Sequence, residues 1–552
     1  MSRHVSSEKN AALVADWQAL RRIFLRPEND AARATLLKYM EQILFGLHDF
    51  LKEHVGITEE ASLKNLADRH VKTRIGKHPE KKLAAVITDL VQNIAPHAVN
   101  VASPYFVGHM TSAIPFFMVH LKTIVAALNQ NVVKLETSKV VSIVEKQVLA
   151  KLHRLIYDRS ESFYNTHVQN THTTLGAFVE GGTTANLTAL WVARNTLLAP
   201  KKGFRGIEKE GLSAAYAAYD LQRCVVLVSR RGHYSLRKAG GLLGIGNENV
   251  IAVDVDKHHR IDTLQLRKQI DALLAEGRTR IMAVIGIAGT TETGSVDPLR
   301  ELAGICREHG IHFHVDAAWG GPVLMSEKYR HLLDGIELAD SVTIDGHKQF
   351  YMTMGCGMVY FKNPRKMDAI AYHANYVNRP GSVDLGIKSL AGTREANSLV
   401  MDCALKIMGT QGYALLLEHG IELAKQFAAE ISRRPLFQLV TAPTLNILTY
   451  RICPPQMQKE LYSGPGTLRK NVNKTLNAIN RTVQRIQREA GRSFVSRTTL
   501  NRRSPDAEIV VLRVVLMNPM TDIAILNDIL DEQEAIYRSR FSQHDGFQAD
   551  PE

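Results

Sequence analysis

The stretch ADSVTIDGHKQFYMTMGCGMVYF, Ala339 to Phe361, decides how this chain folds. Its first apolar run, Ser341 to Ile344, is rich in β-branched residues and ends in Asp345, Gly346, His347 and Lys348. A second apolar run, holding Gly355 and Gly357, follows at once. The pattern predicts a strand, a tight polar turn and a strand. Lys348 would then stand in the turn beside a histidine and between apolar walls, its amine partly withdrawn from water and suited to imine formation.

Working outward, Ile311 to Gly321 reads IHFHVDAAWGG, a strand ending in Asp316 and then small residues that let a flat group approach the backbone. In βαβ order both strand ends open on the same edge of a parallel sheet, where ligands bind. Alone, Lys348 reads as a solvated surface lysine and Asp316 as a helix cap. Together they give a lysine for an aldehyde and a carboxylate for a ring nitrogen, the arrangement a pyridoxal phosphate site requires.

The same alternation extends back to Thr173. TTLGAFVEGGTTANL runs from a strand into Gly181, Gly182, Thr183 and Thr184 and then a helix over Ala185 to Leu198, a place for a phosphate on free helix N–H groups. CVVLVS, Cys224 to Ser229, leads to His233, and IMAVIGIA, Ile281 to Ala288, leads to Thr290 and Thr291. This order predicts an α/β fold whose large domain has a mostly parallel central sheet with helices on both faces. Thr183, His233, Thr291, Asp316 and Lys348 would converge on one sheet edge. His312 and His314 share a strand face, but no third ligand accompanies them, so no metal site is expected.

A chain of 552 residues is too long for one core. Residues 1–115 read as a helical arm for packing or dimerisation, 116–400 as the large domain and 401–552 as a smaller α+β domain. In the arm, Leu36, Leu37, Met40, Ile43, Leu44 and Leu47 line one side of a helix over Ala31 to His54, and a long helical pattern runs from Phe116 to Tyr157. Between them SPYFVGHMTSAIP, Ser103 to Pro115, reads as a loop over a pocket, with Tyr105 and His109 as candidate substrate contacts. Ala371 to Asn397, rich in Pro, Gly and Ser, reads as a long active-site lid. Arg394, at its end and at the mouth of a following helix over Ser398 to Met408, would clamp a carboxylate by two parallel hydrogen bonds.

The net charge of +13 is densest over Arg469 to Arg503. There Val472, Leu476, Ile479, Val483 and Ile486 recur at steps of four and three, so the block is an amphipathic helix with a solvated basic face. It lacks the aromatics that a single-strand nucleic-acid surface interleaves with basic residues, and no nucleic-acid partner is expected. Five scattered cysteines without a CxxC pair exclude a disulfide framework and a structural zinc. No apolar run reaches the length of a membrane span and no secretory signal is visible, so the expectation is a cytoplasmic protein.

GGTTANL, SRRGHYS, AGTTETGSVDP, HVDAAWGG and SVTIDGHK, in this order and spacing, resemble the group II pyridoxal phosphate decarboxylases, relatives of the glutamate, aromatic amino acid and aspartate decarboxylases. The resemblance covers Ser103 to Gly409 by motif. It implies the aminotransferase-like fold type I and a homodimer with its active site near the subunit interface. It implies that Lys348 holds pyridoxal 5'-phosphate, that Asp316 pairs with the ring nitrogen, and that His233 and Ala318 pack on opposite ring faces. Thr183, Thr184 and His347 would meet the phosphate and Arg394 the substrate carboxylate, with Tyr376 in the lid as proton donor. YHANYVNRPGSVDLGIKSLAGTREANS is similar to the lid of bacterial aspartate 1-decarboxylases, which implies decarboxylation of a small acidic amino acid. The reaction expected is L-aspartate to β-alanine, the alternative L-glutamate to γ-aminobutyrate. One position departs from the family pattern: Gln349 follows the lysine where an aromatic is usual.

Overall fold

The computed structural model describes residues 30–52, 55, 63–373, 384–501 and 508–541. The chain packs as two compact units, Met1–Phe106 with Arg485–Phe494, and Val107–Gln484 with Val495–Glu552. The second unit carries both sheets.

The larger sheet has seven strands: β1 (Gly176–Val179), β2 (Arg223–Ser229), β3 (Val250–Val253), β4 (Thr279–Ile287), β5 (His312–Asp316), β6 (Ser341–Asp345) and β7 (Gly357–Phe361). Their order across the sheet is β1-β7-β6-β5-β4-β2-β3. Strands β3, β2, β4, β5 and β6 are parallel neighbours, whereas β7 runs antiparallel to both β6 and β1. Apolar runs bounded by turns give these strands because both sheet faces are covered, and the side-chain alternation sorts each run between two cores. Val225 and Leu227 join one core with Phe313 and Val315, while Cys224, Val226 and Val228 join the other with Met282 and Ile285. Each fully buried aliphatic side chain there contributes about 1.5–3 kcal/mol.

The smaller sheet is antiparallel, order β10-β11-β9-β8, from β8 (Phe437–Thr441), β9 (Ile447–Ile452), β10 (Ser496–Asn501) and β11 (Glu508–Val515). The predicted basic helix spans Gly466–Glu489, and Val472, Leu476, Ile479 and Val483 of its stripe are buried.

Three helix boundaries differ from expectation. The pattern from Phe116 to Tyr157 is two helices, Phe117–Leu128 and Val140–Tyr157, because Asn129 turns left-handed at φ 46° and closes the first. The helix read from Ala185 begins at Gly182, which brings Thr183 and Thr184 into its first turn. The helix predicted over Ser398 to Met408 continues to Arg433 past a break at Gly409, φ 61°.

In the first unit the helix Asp30–Lys52 keeps Leu37, Leu44, Phe45 and Leu51 exposed, each by half or more. No helix among the described residues is long and apolar enough to cross a membrane.

Candidate active site

The turn after β6 is a knuckle rather than a short loop. Gly346 N–H and His347 N–H both donate to Cys356 O, Tyr351 N–H donates to Lys348 O, and His347 Nδ1 lies 2.7 Å from Cys356 O. Tyr351, at φ 55°, turns the chain back into β7. Gln349 is buried in this knuckle. Its Nε2 donates to Trp319 O at 2.8 Å, and its Oε1 accepts from Asn446 Nδ2 at 2.9 Å. Asn446 Oδ1 in turn accepts from Trp319 Nε1 at 2.9 Å. The departure at 349 is therefore a polar strut, filled where an aromatic could only pack.

Lys348 Nζ sits 3.1 Å from Asp345 Oδ2, whose other oxygen is buried without a hydrogen-bond partner among the described residues. Behind Asp345 the chain passes itself at close range: a Cβ on Gly357 would come within 2.5 Å of Gly181 Cα, and one on Gly182 within 2.9 Å of Asp345 Oδ2. Only glycine lets the helix start reach the lysine knuckle. The amino terminus at Gly182 has no side-chain cap. Its first N–H groups and the Thr183 and Thr184 hydroxyls are donors for an anion.

Asp316, at the end of β5, accepts from Ala318 N–H at 3.2 Å and from Asn186 Nδ2 at 2.8 Å. His233 Nδ1 lies 2.8 Å from Ser235 Oγ and 3.3 Å from Ser235 N, which leaves Nε2 without a part in this turn. Burial lowers its pKa, with Lys348 acting in the same direction and Asp316 opposing. His109 Nδ1 lies 3.2 Å from Thr111 Oγ1, and burial and then Arg513 hold its pKa down.

Lys348, Asp316, Ala318, His233, His347, Thr183, Thr184, Thr291 and His109 all line one cavity of about 440 Å³, with Asn186, Arg231 and Arg513. Of Thr290 and Thr291, the second faces it; Thr290 bonds Thr293 and Ser295 in a buried cluster.

Arg394 requires a correction. Its guanidinium is buried and makes a two-point pair with Glu145, Nη1 to Oε2 at 2.8 Å and Nη2 to Oε1, so it is spent inside the protein and does not line the cavity. Arg513 on β11 lines it instead, as does Arg231. Arg513 Nη1 donates to Thr291 O at 2.8 Å, Nη2 to Gly108 O at 2.9 Å and Nε to Ser496 Oγ at 3.0 Å. Two of its five N–H groups have no partner among the described residues. The visible signal was a lone basic residue inside an apolar strand, EIVVLRVV. Tyr105 belongs to the first unit, where its carbonyl accepts from Phe494 N–H. Tyr376 lies outside the described residues.

The donor set fits pyridoxal phosphate. A lysine amine serves the aldehyde, a buried carboxylate the ring nitrogen, an uncapped helix start the phosphate, and a histidine and an alanine the ring faces. Among the described residues no group of three or more His, Cys, Asp or Glu side chains is gathered that would hold a metal ion.

Comparison with known proteins agrees. The model of the pyridoxal-dependent decarboxylase conserved domain matches residues 66–453. The chain is 44% identical over 534 residues to an aspartate 1-decarboxylase of Aliivibrio fischeri, covering 96% of each chain. It is 27% identical over 507 residues to the acidic amino acid decarboxylase GADL1 of Xenopus tropicalis, covering 90% of this chain and 91% of that one. The crystal structure of mouse CSAD superposes with a TM-score of 0.77 at 23% identity, over 91% of this chain and 99% of that one, which carries the fold. A lysine knuckle, a buried carboxylate and an uncapped helix start on one sheet edge thus meet a family match over most of the length: the chain belongs to the pyridoxal-dependent decarboxylases, enzymes that use pyridoxal phosphate.

Proposed function

We propose that the enzyme decarboxylates L-aspartate at its α-carboxylate, giving β-alanine and carbon dioxide. The observation that carries this reading is Arg513, a guanidinium with unused donors in the wall of the Lys348 cavity. The 44% identity to an aspartate 1-decarboxylase across nearly the whole chain supports the choice of substrate.

When bound, pyridoxal phosphate offers an aldehyde to the substrate amine and a ring that accepts the electron pair left by carbon dioxide. Lys348 Nζ would hold the cofactor's aldehyde, and Asp345 Oδ2, 3.1 Å away, would hold the lysine amine while it is free. The Gly182 helix start, Thr183, Thr184 and His347 hold the phosphate. Asp316 keeps a proton on the ring nitrogen. Arg513 binds a substrate carboxylate through its two spare N–H groups, and His109 lies beside it on the wall. The proton that replaces carbon dioxide comes from His233 Nε2 or from Tyr376. Exposed Leu37, Leu44, Phe45 and Leu51 on the arm support a homodimer. The expected setting is the cytoplasm.

The test is to incubate purified protein separately with L-aspartate and L-glutamate and identify the amines by mass. β-Alanine from aspartate at the higher kcat/KM is expected. A preference for γ-aminobutyrate formation overturns the substrate, since one methylene is worth only about 1–3 kcal/mol in a pocket. Lys348→Ala should lose the borohydride-fixed cofactor, and its retention would overturn the site. Tyr376→Phe with unchanged turnover and products would remove Tyr376 from the mechanism.

A further inference from the structure

A polar stripe crosses the large sheet beneath the cofactor site. His312, His314 and Asp316 alternate along β5 and so share one face, with Ser341 on β6 paired to His314 and Asn186 on the overlying helix Gly182–Leu197. His312 Nε2 lies 2.8 Å from Ser341 Oγ, and Ser341 Oγ lies 2.9 Å from His314 Nδ1. His314 Nε2 lies 3.0 Å from Asn186 Oδ1, and Asn186 Nδ2 lies 2.8 Å from Asp316 Oδ2. Asn186, His314 and Ser341 are all buried.

The sense of this array is forced from its Asp316 end. An ionised carboxylate only accepts, so Asn186 presents Nδ2 to it and Oδ1 to His314. His314 must therefore carry its proton on Nε2. Burial pushes its pKa down to about 4, so the ring is neutral and Nδ1 is bare. That nitrogen takes the Ser341 hydroxyl proton, and the Ser341 oxygen is left to accept from His312 Nε2. The chain of donors starts at His312 Nε2, and the bare His312 Nδ1 has no hydrogen-bond partner among the described residues. An apolar stripe would pack here without desolvating five polar groups, so the array's use lies in what it does to its last member.

We infer that His314, Asn186 and Ser341 are positioning residues that fix the Asp316 carboxylate, one oxygen on Asn186, for its contact with the cofactor ring. The inference rests on the reading that Asp316 meets that ring. Asn186 is the second turn of the helix whose start is proposed to take the phosphate. One short helix thus sets both the phosphate and the ring-nitrogen ends of the cofactor.

The experiment titrates pyridoxal phosphate into full-length apoprotein, records the absorption band of the bound cofactor, and measures kcat and KM for aspartate. Variants are Asn186→Leu, His314→Phe, His314→Gln and Ser341→Ala, with Asp316→Ala as control. A lost hydrogen bond to a charged group predicts about ten- to hundredfold weaker cofactor binding for Asn186→Leu and His314→Phe. The band should shift and kcat should fall while KM for aspartate holds. His314→Gln, which can place an N–H near Nε2 and an acceptor toward Ser341, should bind and turn over near wild type. Ser341→Ala, the mildest change, should move the same readouts in the same direction by a smaller factor and serves if a bulkier variant fails to fold. If His314→Gln behaves as His314→Phe, the ring merely packs and the inference is overturned. Wild-type affinity and band in Asn186→Leu, or in Ser341→Ala should Asn186→Leu not fold, overturn it too when Asp316→Ala binds weakly. An unaffected Asp316→Ala would instead sink the reading of the site itself.

Discussion

Two arginines compete for one role, and exchanging each separates them. Arg513 lines the cavity with two spare N–H groups, whereas Arg394 is locked on Glu145. Arg513→Met removes the charge and both free donors. A hydrogen-bonded contact to a carboxylate is worth about 1.5–3 kcal/mol, so kcat/KM for aspartate should fall about 10- to 150-fold, chiefly through KM. Arg513→Lys restores the charge without the planar fork and should recover part of that loss. Arg394→Met strands the Glu145 carboxylate, which is 1% exposed. Leaving a buried ion without its partner costs about 3–5 kcal/mol, so that variant should lose stability with little change in KM once folded. Glu145→Gln with Arg394→Met should regain part of the stability. Initial rates by carbon dioxide release and denaturation midpoints give both quantities on one preparation. A large KM effect in Arg394→Met with an unchanged midpoint, beside a silent Arg513→Met, would refute the assignment.

Gly357→Ala drives a methyl group to 2.5 Å from Gly181 Cα, so the helix start must back away from the lysine knuckle. Cofactor affinity should drop about tenfold or more in a protein that still folds, read by titration of the apoprotein; unchanged affinity would mean that the approach is not needed. His153 is buried with its pKa lowered to about 4 by burial, Nδ1 on Tyr164 Oη and Nε2 on Phe361 O. Below the unfolded pKa near 6.5 the unfolded chain binds a proton that the folded one refuses. Stability then falls as pH drops toward 4, by about 1.4 kcal/mol per unit from this group. His153→Gln should flatten the pH dependence of the denaturation midpoint over that window, and an unaltered slope would show that His153 does not titrate on unfolding.

The cofactor half of the site was legible because it follows from strand order. In a parallel sheet each strand end lands on the same edge, so Thr183, His233, Thr291, Asp316 and Lys348 come together without knowledge of any contact. The proposed substrate half was not. Arg394 sits at a helix mouth, where a clamp is a fair expectation, but its partner Glu145 is 249 residues away and no local pattern announces it. Arg513 comes from the antiparallel sheet, for which no edge rule places side chains, and only the charge amid apolar residues marked it. The reversal into β7 turns on Tyr351 at positive φ, a conformation its residue type does not advertise. Asn186 and His314 were visible only as polar residues in buried elements, and their meaning emerges once β5, β6 and the helix are superimposed.

The Gln349 strut has a bearing on how such enzymes can be divided. Asn446, its partner, stands immediately before β9, so the residue that braces the lysine turn arrives in the chain nearly a hundred positions after it. A fragment truncated before residue 446 would retain Lys348, Asp316, His233 and the helix start. It would nonetheless deliver the amine on a hinge braced at Trp319 alone, which makes the carboxyl-terminal sheet part of the cofactor's seat and the two sheets poor modules for independent exchange.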